Sequence, residues 1–82
     1  ERAWVMHLAL DTPDDLTEFT DTFAQFAALR MDVEAQPAAS GADCWTNDLQ
    51  ETLCALVSSE SSVYLSFAPS LQDADALIAL QE

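Results

Sequence analysis

The chain has 82 residues, half of them hydrophobic, and carries fifteen acids against two arginines and no lysine, a net charge of −13. That length fits one domain with a modest core, and the apolar half excludes a disordered acidic tail. The charge argues against direct binding to nucleic acid or an anionic membrane surface, and no apolar run approaches the roughly 20 residues of a membrane-spanning helix.

Residues 3–10 (AWVMHLAL) read as a first strand. Trp4, Met6, Leu8 and Leu10 point one way and Ala3, Val5, His7 and Ala9 the other. Both sets are largely apolar, so a central strand is expected. Thr12 and Pro13 open a helix: Thr12 is a good N-cap and Pro13 suits the first helical position. Asp14 and Asp15 fall where the helix dipole favours negative charge. Leu16, Phe19, Phe23 and Phe26, widened by Ala27, draw one apolar stripe, and this aromatic series reads as core rather than as a ligand box. Asp14, Glu18, Asp21 and Gln25 lie on the opposite side, and Arg30 closes the last turn.

Residues 31–37 (MDVEAQP) alternate, with Met31, Val33 and Ala35 expected to face the core and Pro37 confining the strand to an edge or ending it. Residues 38–41 form a turn holding the single glycine, and residues 42–46 return as a short strand. Residues 47–58 admit two readings. Asp48 with Glu51 resembles a helix cap, and Leu49, Leu53, Leu56 and Val57 have helical spacing, so a helix is preferred. The alternative is a strand over 52–57. Residues 58–62 (SSESS) turn into a strand over 63–68, with Val63, Leu65 and Phe67 on one face and Tyr64 and Ser66 on the other. Pro69 and Ser70 start a last helix, with Ser70 and Asp73 as a capping pair and Leu71, Ala74, Leu77 and Ile78 as its apolar face.

The expected class is therefore α+β: a ferredoxin-like βαββαβ sheet with an extra C-terminal helix, strands one and three central and two helices on one face. If 52–57 is a strand, the layout becomes βαβ followed by a β-hairpin around SSESS and a C-terminal helix. The chain starts at Glu1 rather than Met, and its last helix reaches Glu82 without a stop signal; both features fit a segment of a longer chain. No signal peptide is visible.

No catalytic motif is recognisable, and a non-enzymatic protein is expected. His7 beside Cys44 could form a base–nucleophile pair, but no spacing rule supports it, and a locally satisfied sheet histidine is the better reading. The acid pairs Asp14–Asp15 and Asp73–Asp75 fall in helix first turns, where capping alone explains them. One glycine cannot build a phosphate loop, and no loop carries calcium-ligand spacing, so neither cofactor nor metal is expected. Nine residues separate Cys44 from Cys54, with no CxxC and no nearby histidine. Free thiols in a cytoplasmic protein (the host cytoplasm, if phage-encoded) are expected over a bridge, which would place the chain outside the cytoplasm. Trp45 reads as a lid on the core, whereas an exposed tryptophan beside acids would suit an interface.

Thirteen uncompensated charges repel one another. A basic partner, molar salt or solubility alone could favour them, and solubility accounts for only a few units. The expectation is a small acidic inhibitor that occupies a basic, nucleic-acid-binding surface of another protein, as phage-encoded anti-CRISPR and anti-restriction inhibitors do. The expected contacts are Asp14, Asp15, Glu18 and Asp21, with Asp11, Asp73 and Asp75 as outer members. The alternatives are a halophile's domain or an extracytoplasmic interaction or oligomerisation module, and a homodimer through an uncovered sheet face fits any of the three.

Overall fold

The computed structural model describes residues 3–47, 49 and 51–81. Five strands and two helices follow in the order β1 (Trp4–Ala9), α1 (Pro13–Met31), β2 (Gln36–Pro37), β3 (Asp43–Thr46), β4 (Thr52–Ser59), β5 (Ser62–Ala68) and α2 (Leu71–Ala79). The strands form one sheet in the order β1-β5-β4-β3-β2, antiparallel at every pairing. The class is α+β, and the sheet lies between the two helices.

Strand alternation explains the layers. Trp45, Leu53, Ala55, Val63, Leu65 and Phe67 share one face, which α1 covers through Leu16, Phe23, Ala27 and Met31. Cys44, Cys54, Leu56 and Ala68 share the other, which α2 covers through Ala74 and Ile78. Both helices start as their caps require. Thr12 Oγ1 accepts from the Asp15 amide at 3.1 Å, and Ser70 Oγ accepts from the Asp73 amide at 3.2 Å. α1 stops at Asp32, which is left-handed at φ 56° while its N–H still donates to the Ala28 carbonyl. Aspartate tolerates that conformation better than most residues.

The ferredoxin-like arrangement is not what forms. The expected helix over 47–58 is instead β4, the second of the two readings, and it makes a hairpin with β5 around residues 60–61. The local reason lies in the preceding turn. Asn47 Oδ1 accepts from the amides of Leu49 and Glu51, both at 3.0 Å, and Asn47 N–H donates to the Glu51 carbonyl. This asparagine-centred turn reverses the chain and competes with a helix start. Asp48 of the expected cap lies outside the described residues. With β4 in the sheet, β1 pairs with β5 alone and sits at an edge, not in the centre.

Two further expectations change. Met31 is the last residue of α1 and is buried there, while β2 is reduced to Gln36–Pro37, both exposed, and Ala35 faces water. Pro37 does sit on an edge strand, as its missing N–H demands. Phe26 is not core: it is 54% exposed at the margin of the α1 stripe.

Candidate protein-interaction surface

α1 carries the densest run of acids. Asp14, Asp15, Glu18 and Asp21 are all exposed, as is Asp11 in the preceding loop. From Asp14 to Asp21 the helix rises about 10 Å. Neighbours at three and four residues along this run are acidic or neutral, so the like-charge pairs Asp14–Glu18, Asp15–Glu18 and Glu18–Asp21 each oppose the helix by roughly 0.2–0.5 kcal/mol. The ion pair seen among the described residues lies elsewhere: Arg30 Nη2 reaches Glu51 Oε1 at 3.5 Å near the C-terminal end of α1, and Asn47 Nδ2 donates to the same oxygen at 2.9 Å.

Two of the three outer acids do not join this run. Asp73 and Asp75 belong to α2, on the far side of the sheet. Asp73 is exposed in the first turn, whereas Asp75 is half-buried and accepts from the Ser40 amide at 3.3 Å, which fixes the β2–β3 turn to α2. The seven acids expected at one interface thus divide into five on one side and two on the other.

Cys44 is not available to His7 as a thiol nucleophile. Cys44 and Cys54 form a disulfide, in place of the free thiols expected. They face each other directly across β3 and β4 with Cα atoms 4.1 Å apart. Asn47 and Glu51, three steps along the same register, are a hydrogen-bonded pair, so Cys44 and Cys54 form a pair of the closer, non-hydrogen-bonded kind. The bridge is buried beneath α2. His7 is exposed on β1, shares a hydrogen bond with Ser58 Oγ at 3.3 Å and stacks on Tyr64 with ring centres 4.3 Å apart. It is the locally satisfied sheet histidine that was expected.

The tryptophans separate. Trp45 is buried and meets Phe23 edge-on at 5.8 Å, while Trp4 is 40% exposed and stacks on Phe67 at 6.0 Å. Trp4, Phe26, Phe67, Leu53 and Arg30 line an open groove of about 620 Å³ between β1 and the C-terminal half of α1. Sequence reasoning missed it by assigning Phe26 to the core and β1 to the sheet centre. The available signal was the two-sided apolarity of β1, which an edge strand does not need.

No helix among the described residues is long and apolar enough to cross a membrane. No protein-family model, curated protein or solved structure shows a significant match to the chain.

Proposed function

We propose that this protein is a non-enzymatic binding module whose acidic α1 face engages a basic surface of a partner protein, one that would otherwise hold nucleic acid, and thereby blocks it. The supporting observation is Glu18 with Asp21: both are exposed, neither caps the helix, and no lysine or arginine lies three or four residues away. They weaken the helix that carries them, so their benefit lies outside the fold. Acids at helical spacing offer a cationic groove a row of negative charge in place of phosphates.

The double variant Glu18→Lys/Asp21→Lys tests this with two opposite readouts. Capture of a basic protein from the native host at low salt should disappear, while the thermal stability of the free chain should hold or rise as the repulsion is relieved. Unchanged capture, or a chain that needs both acids to fold, overturns the reading.

The Cys44–Cys54 bridge favours a second reading, an interaction module of an oxidising compartment. Thiol titration of the denatured, unreduced protein from its native source decides it: two free thiols would remove this reading.

A further inference from the structure

We propose that the free edge of β1, with the groove beside it, receives an extended segment of a partner protein carrying apolar side chains at one end and lysines or arginines at the other. The inference deepens the function proposed above, because it rests on the partner being basic.

The backbone supplies the first argument. Leu10 N–H donates to the Ser61 carbonyl, one step beyond the β1–β5 register. Antiparallel pairs alternate, so the even residues of β1 hydrogen-bond to β5, and Val5, His7 and Ala9 turn their N–H and C=O groups outward. An unpaired edge of this kind is a template for another strand, and proteins usually protect it with charge, proline, a bulge or short length. The opposite edge is protected: β2 is two residues long and one is Pro37. β1 is six residues long, with no proline, lysine or acid.

The side chains give the polarity. α1 runs back alongside β1: Phe26 and Arg30 lie by Trp4, while Leu8 and Leu10 pack against the cluster that holds Leu16. The groove therefore flanks the start of β1, and Asp11, Asp14 and Asp15 flank its end, with Asp11 two residues past Ala9. A strand added here meets aromatic surface at one end and carboxylates at the other. Charge complementarity selects the occupant. A second copy brings its own net charge of −13 to the same edge, and antiparallel pairing sets its carboxylates beside a groove whose one cation among the described residues, Arg30, already holds Glu51. A basic segment meets neither obstacle.

Two ten-residue peptides serve as probes, one with valine and isoleucine in its first half and lysine in its second, the other with lysine and serine throughout at equal charge. Titrations against the ¹⁵N-labelled protein at low salt should show the mixed peptide binding about tenfold tighter, with shifts at the Val5, His7 and Ala9 amides. Phe26→Glu should abolish that advantage although it adds a negative charge, and Ala9→Pro should do so by removing an outward N–H. Thermal melts of both variants check the fold, and Phe26→Glu, at an exposed site, carries the test alone if Ala9→Pro unfolds. Equal binding of the two peptides, unaffected by Phe26→Glu, overturns the edge inference and leaves the acidic-face reading standing. Binding of neither overturns both. Self-association through the same amides, with no peptide bound, assigns the edge to a second copy and overturns the inference.

Discussion

The two faces of the sheet are built to different standards. Under α2 the packing is close: Ala42, Cys54, Ala68, Ala74 and Ile78 are fully buried, a disulfide lies among them, and Ser66 Oγ donates to the Ala74 carbonyl at 2.8 Å. A nine-residue helix achieves this because the fully buried residues beneath it, Ala42, Ala68 and the cysteine bridge, are small and allow close approach. α1 is twice as long and larger in its aromatics, yet it leaves Trp4 at 40%, Met6 at 44% and Phe26 at 54% exposed. The difference follows from placement. α1 packs over β3, β4 and β5 through Ala27, Met31 and Leu16 and reaches Leu8 at the end of β1, but one helix of about 10 Å diameter leaves the start of β1, at the far edge, unroofed. Both faces bury a core, but the one under α1 also leaves an apolar margin beside a charged ridge.

The largest effect expected is at Ile78. It is fully buried, so Ile78→Ala should cost about 3 kcal/mol and lower the melting temperature by roughly 10–20 °C. A loss below about 1 kcal/mol would show that the α2 layer yields as easily as the α1 margin and would break the comparison. Removal of the bridge by Cys44→Ala/Cys54→Ala should cost about 2–3 kcal/mol, since the crosslink closes a short loop and lies in the same layer. A smaller loss, about 1 kcal/mol, is expected for Ser66→Ala, which deletes one buried hydroxyl bond. Urea unfolding of all three against the parent chain gives the ranking directly.

The elements that were legible in the sequence share a local cause. Thr12, Pro13 and Asp15 define the start of α1, Ser70 and Asp73 that of α2, and strict alternation defines the faces of β5. What escaped was decided by contacts far apart in the chain. Leu53, Leu56 and Val57 satisfy helical and strand spacing alike, and the choice rests on the Asn47-centred turn together with the pairing of Cys54 with Cys44 and Ser66. The apolarity of residues 3–10 reports how much of β1 is suited to being covered, and the same pattern serves a central strand or an edge that awaits a partner. The candidate site divides in the same way. Asp14, Asp15, Glu18 and Asp21 are neighbours because one helix makes them so. Asp73 and Asp75 are remote because the sheet intervenes, and no spacing rule within a single element carries that information.

The smallest effect is expected at Phe26, and it sharpens the comparison most. A phenylalanine in a close-packed layer loses about 3–5 kcal/mol on truncation to alanine. Phe26 is more than half exposed, its ring lies tilted at 6.3 Å from Phe23, and alanine is the better helix former, so Phe26→Ala should change stability by less than about 1 kcal/mol. A side chain this apolar, which the fold hardly needs, keeps the groove floor of Leu53 and Phe67 flanked by aromatic surface. If Phe26→Ala instead costs as much as Ile78→Ala, the ring belongs to the core, the groove closes in solution, and β1 has no apolar surface to offer a partner.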